Sequence, residues 1–171
     1  MPVARVVPRE WLPAGARVQR VIIHWTAGTY TPSALDRLHY HLLVSGLGLA
    51  VRGIRPVGSY LPHTRGLNTG SVGLALCGMH LATESPWSAG PYPISHLQWE
   101  RACQAAAEVL HAYGLPVSER TLLCHSEVER VYGVRQRGKW DIDRLPHDLS
   151  LTTPEVHAEM RRKALWYWER A

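Results

Sequence analysis

His24 closes the run "VIIHW", His125 follows "LLC" in "LLCHSEV", and the stretch "GKWDID" at 138–143 brings Lys139, Asp141 and Asp143 together. Two imidazoles and one carboxylate make up the three-ligand set of a catalytic zinc site, which keeps a fourth position for water. A lysine beside such a site supplies positive charge where an oxyanion develops. A histidine at the end of a strand is by itself an ordinary, partly exposed polar residue, so the reading depends on distant segments meeting. Either Asp141 or Asp143 can complete the set from the sequence alone. Of the other histidines, His39 and His41 flank Tyr40, while His80, His96, His111 and His157 are expected at the surface.

The elements needed to bring these groups together are legible. "RVQRVIIHWTA" is a short β-branched apolar run, a buried strand that delivers His24 on the face of Ile22, opposite Ile23 and Trp25. "RTLLCHSEV" is a second such strand, with His125 on the face of Leu123 and Cys124 turned into the core. Between them, "TPSALDRLHYHLL" predicts a helix with Thr31 as N-cap and Pro32 in its first turn. "YHLLVSGLGLAVRGI" predicts two short strands around Gly46 and Gly48, and "SVGLALCGM" a buried strand. Prolines 86, 91 and 93 make 82–94 a loop. Ser95 and Gln98 form a capping box for a helix that Gly114 ends, and Thr153 and Pro154 open a last helix with Val156, Met160, Ala164 and Trp168 on one stripe.

The alternation of strands and helices predicts an α/β fold, a central mixed sheet flanked by helices. A single domain over 1–171 is expected, with its core over about 18–150 and the C-terminal helix over 153–170. The chain has 171 residues, 46% hydrophobic and 19% charged, enough to bury a core unaided. Three cysteines in apolar runs read as reduced core thiols. A net charge of +5 favours anionic partners, but the basic residues are scattered. Seven tryptophans and seven tyrosines lie mostly in apolar runs or alone, which argues against a nucleic-acid surface. No transmembrane segment or signal peptide is expected, so synthesis in the cytoplasm is.

The segments "VIIHWTAG", "YHLLVSG", "HTRGLNTGSVGLALCG" and "HSEV…GKWDID", in that order, resemble the motifs of the zinc-dependent N-acetylmuramoyl-L-alanine amidases. That family includes phage endolysins, cell-wall recycling amidases and peptidoglycan recognition proteins. The resemblance implies a Zn2+ held by His24, His125 and Asp141, with Lys139 beside the oxyanion and Tyr40 orienting the attacking water. It places His63, Asn68 and Ser71 along the substrate groove, with Trp25 as a further substrate contact.

Two departures bear on function. Ala75 stands where the recycling enzymes carry glutamate, which shifts weight to Tyr40, and ten residues, "ERVYGVRQRG", separate "HSEV" from Lys139, which keeps Asp143 as a rival ligand. The resemblance implies hydrolysis of the muramoyl–alanine amide in peptidoglycan by a monomeric endolysin reaching the wall through a membrane lesion. The alternatives are a non-catalytic recognition protein and a cytoplasmic recycling amidase. For the last helix, core packing is expected, with outer-membrane contact through Arg161, Arg162, Lys163, Trp166 and Trp168 as the other reading.

Overall fold

The computed structural model describes residues 3–171. Five strands, β1 (Arg20–Trp25), β2 (Leu42–Val44), β3 (Ala50–Arg52), β4 (Ser71–Leu76) and β5 (Leu122–Cys124), form one sheet in the order β3-β2-β4-β1-β5. β1 runs parallel to both β4 and β5, β2 runs parallel to β4, and only the β2–β3 hairpin is antiparallel. This is the mixed sheet that the alternating pattern implies.

Strand alternation divides β1 between two layers. Val21, Ile23 and Trp25 enter the main core with Leu74, Leu76, Leu122 and Cys124, against α2 (His96–Ala112) and α4 (Thr153–Trp168). An alanine-rich stripe, Ala102, Ala105 and Ala106, lets α2 lie close, and Met160 and Ala164 of α4 close the layer from outside. The opposite face carries Ile22 and His24 of β1 and the small cluster Leu43, Ala75 and Cys77. Loops rather than helices cover that face.

The helices begin where side chains satisfy their free amides. Ser95 and Gln98 make the expected capping box of α2, and Thr152 with Glu155 does the same for α4. The first helix departs from expectation. α1 (Ala34–His39) is capped by Ser33, whose hydroxyl accepts from Asp36 N while the Asp36 carboxylate accepts from Ser33 N. A serine with an aspartate three residues on satisfies two amides, whereas Thr31 has no such partner. Leu35 and Leu38 are 60% and 46% exposed, so α1 buries no residue and serves to place Tyr40 at its C-cap.

After β5 the chain does not continue as a strand. His125–Glu127 form a 3-10 turn that leads into α3 (Val128–Tyr132), because the Glu127 carboxylate turns back to accept from Cys124 N. Buried Glu127 is met by Arg161 of α4 at 3.0 Å and by Arg130 at 3.0 Å. The surface role expected for His157 is overturned here. It is buried on α4, with Nε2 3.2 Å from Ile142 O and from Ser126 Oγ, and Nδ1 3.5 Å from Glu127.

The basic face of α4 is thus largely committed inward. Arg161 pairs with Glu127, Lys163 with Glu100, and Trp168 Nε1 donates to Leu115 O, which favours the packing reading over membrane contact. Among the described residues, no helix is long and apolar enough to cross a membrane. Removing one partner of a buried ion pair leaves an uncompensated charge at a cost of about 3–5 kcal/mol. Arg130 still faces Glu127, so Arg161→Ala is expected at the low end, about 3 kcal/mol, in a urea denaturation series.

Candidate metal centre

The parallel register of β1 and β5 sets the site. Ile23 pairs with Cys124, so His24 and the first residue past β5, His125, come side by side on the face away from the helices. Their Nδ1 atoms are 3.0 Å apart, and Asp141 Oδ2 lies 3.3 Å from His24 Nδ1 and 3.1 Å from His125 Nδ1. Ala75 is the β4 register partner of His24, so no carboxylate stands at that position.

Asp141 is chosen over Asp143 by the residue between them. Ile142 adopts φ 65°, a left-handed conformation costly for a β-branched residue, and its side chain is buried in the main core. That turn sends Asp141 to the histidines and Asp143 to a separate cavity beside Ser126 and His157. Burial raises the Asp143 carboxyl, partly offset by a hydrogen bond from Ser126.

The outer nitrogens decide which tautomers face inward. Gln136 Nε2 donates to Arg65 O and Val134 O, which leaves Gln136 Oε1 to accept from His125 Nε2 at 2.9 Å. His63 Nε2 meets Ser71 O at 3.3 Å, and a carbonyl only accepts, so His63 Nδ1 holds a lone pair toward His24 Nε2 at 3.0 Å. Thr64 Oγ1 sits beside the same pair, 2.9 Å from His63 Nδ1. With its N–H on the outer nitrogen, each ring turns a lone pair on the point that Asp141 shares.

Electrostatics keep these groups in ligand form. Burial holds His24 down to about 4 against the opposing hydrogen bond with Asp141, and His63 to about 2, so both are neutral near pH 7. Burial alone would raise Asp141, but hydrogen bonds from His125 and His24 outweigh it and hold the carboxyl well below its usual range. Those bonds need a proton on Nδ1, which the outer partners claim for Nε2. A cation at the shared point resolves the conflict, since three lone pairs are otherwise left facing one another. Separations of 3.0–3.3 Å are close to the edges, roughly 3.3 Å, of a tetrahedron with bonds of about 2.0–2.1 Å, so the donor set fits zinc.

The remaining candidates fall into three groups. Tyr40 lies against the site, its ring centroid 5.2 Å from that of His24, and burial followed by the charge of Asp141 pushes its phenol up. Lys139 is exposed and, among the described residues, makes no ion pair, yet it is close enough that its charge opposes protonation of His24. His63, Asn68 and Trp25, expected on the substrate, are occupied within the protein. His63 backs His24. Asn68 Oδ1 accepts from the amides of His63 and Thr64 at 3.0 and 2.7 Å. Trp25 is core and meets Trp140 edge-on at 4.8 Å. Ser71 Oγ binds Leu67 O and Arg20 Nη1, which shapes the turn before β4.

The family model for N-acetylmuramoyl-L-alanine amidases, Amidase_2, matches residues 14–144. The chain belongs to that family. No curated protein sequence matches it significantly. Among solved structures it is similar to the Ph2119 endolysin from a Thermus scotoductus bacteriophage, at 18% identity over 86% of each chain with a TM-score of 0.53. It is also similar to the amidase LysC from Clostridium intestinale, at 16% identity over 94% of each chain with a TM-score of 0.55. Drosophila PGRP-LB matches at 17% identity over 89% of each chain with a TM-score of 0.51. At these identities the likeness is one of fold, and it agrees with the mixed, helix-flanked sheet.

Gln136 was missed by sequence reasoning. Its only signal is alternation in "RQR", where one polar residue turns inward between two arginines. Partners that orient metal-binding histidines typically contribute 10-fold to 100-fold in affinity. Gln136→Leu is expected to weaken zinc binding by about that factor in a chelator competition.

Proposed function

We propose that this chain is a zinc-dependent hydrolase of the amide bond joining N-acetylmuramic acid to the L-alanine of the peptidoglycan stem peptide. The observation that carries the reading is the convergence of His24 Nδ1, His125 Nδ1 and Asp141 Oδ2, each with its lone pair turned inward by an outer partner. Family membership supports the substrate class.

His24, His125 and Asp141 would hold the zinc, which would supply Lewis acidity and acidify water there. The chain's own groups do the rest. Tyr40, kept as a neutral phenol, is a hydrogen-bond partner that orients the attacking water rather than a base that removes its proton. Lys139 presents its ammonium to the oxygen that gains charge as the carbonyl becomes tetrahedral. His63 and Gln136 hold the imidazoles still, so no reorganisation is spent at the moment of reaction. Trp140 packs beneath, against Trp25. The lytic setting is preferred to muropeptide recycling because no carboxylate occupies position 75.

His24→Ala is expected to abolish release of stem peptides from purified peptidoglycan while circular dichroism stays native. Wild-type release from that variant would sink the zinc assignment. Lys139→Ala is expected to lower kcat by about 10²-fold to 10³-fold. Equimolar zinc in the purified protein, with activity lost to a chelator and restored by zinc, separates this reading from a recognition protein that binds the wall without cutting it.

A further inference from the structure

The left-handed turn at Ile142 has two anchors, and the second lies outside the matched family region. The Ile142 side chain is held in the main core, while its carbonyl oxygen is held by His157 of α4, beyond residues 14–144. A buried polar group needs a hydrogen-bond partner, and His157 finds its own at the junction of the two ligand segments. Its Nε2 lies 3.2 Å from Ile142 O and 3.2 Å from Ser126 Oγ, and Nδ1 lies 3.5 Å from Glu127, whose charge Arg161 and Arg130 already meet. A carbonyl only accepts, so Nε2 carries the proton.

Both contacts sit one residue past a candidate metal ligand. Ser126 follows His125 and Ile142 follows Asp141, and Ser126 N also donates to Asp141 O at 3.4 Å. The imidazole thus ties together the two segments that carry the ligands. Asp143, one residue further, leaves the turn on the other side, its amide donating to Trp140 O at 3.1 Å and its carboxylate accepting from Ser126. It enters a cavity of about 540 Å³ that Ser126, Thr153, His157 and Arg161 also line. A strained left-handed residue persists only where its surroundings over-determine it. Without a donor on its carbonyl, Ile142 is held by its side chain alone, and relaxation of that peptide changes which aspartate faces His24 and His125.

We propose that His157 is a positioning residue for the metal centre: its hold on the Ile142 carbonyl selects Asp141 over Asp143 as the ligand and couples zinc binding to the docking of α4. The proposal rests on the zinc reading of the site. Coupling follows because the bound cation and the imidazole stabilise one and the same turn, so each favours the other. His157 acts through the backbone of Ile142, so what it changes is the geometry of the ligand set rather than the chemistry on the cation.

The test titrates the full chain with zinc against a chromophoric chelator, well below the melting temperature of each metal-free variant, which keeps loss of folding out of the affinity. His157→Ala is expected to weaken zinc binding about tenfold or more, the range for partners that orient metal ligands. His157→Gln, whose Nε2 can donate to the same carbonyl, is expected to recover most of that loss. Unchanged affinity in His157→Ala overturns the proposal, and so does a His157→Gln variant as weak as the alanine one, since the loss then comes from packing. A second measurement needs no variant. In hydrogen exchange of the wild-type chain, zinc is expected to slow the amides of 156–161 in α4 more than those of α2, and equal slowing in the two helices overturns the proposal. Failure of the wild-type chain to bind zinc overturns the metal reading itself, whereas equal binding by wild type and His157→Ala overturns the positioning role alone.

Discussion

Two imidazole lone pairs and a carboxylate held within 3.0–3.3 Å of one another repel, and much of the structure is arranged to keep them there. The parallel register of β1 and β5, which pairs Ile23 with Cys124, brings His24 beside His125 at the first residue past β5. Ser71 O through His63, and the carbonyls of Arg65 and Val134 through Gln136, oblige each ring to point its lone pair inward. The left-handed turn at Ile142 brings Asp141 to meet them, its strain held by burial of the isoleucine side chain. Such an arrangement is stable when a cation occupies the shared point, which is why the donor set reads as a metal centre rather than a hydrogen-bonded cluster.

The helical layer takes part in this through Glu127. Its buried carboxylate accepts from Cys124 N at the end of β5, pairs with Arg161 of α4, and lies beside His157. His157 in turn donates to the carbonyl of Ile142, one residue past Asp141. One carboxylate thereby fixes the strand end that delivers His125 and, through α4, the loop that delivers Asp141. The last helix is part of the scaffold of the site, although it contributes no group to it.

Charge is distributed by depth. The groups at the centre are buried, whereas Lys139, Arg65, Arg135 and Arg137 are exposed around it. A net charge of +5 spread along the sequence says little about partners, but the fold concentrates part of it beside the candidate metal centre.

What the sequence by itself determined was local. Apolar runs with β-branching marked the strands, capping pairs such as Ser95 with Gln98 marked the helices, and ordered motifs singled out His24, His125, Lys139 and the aspartates. These signals are legible because they depend on residues within a few positions of one another. Only the tertiary structure brings Asp141 rather than Asp143 to the two histidines, through one dihedral at Ile142 and the core that holds it. Only the fold set His63 behind His24, buried His157, and placed Gln136 on His125. Each of those assignments is a hydrogen bond between segments far apart in the chain, such as the 71 residues from Gln136 to Arg65, and no local pattern records which distant carbonyl a side chain will meet.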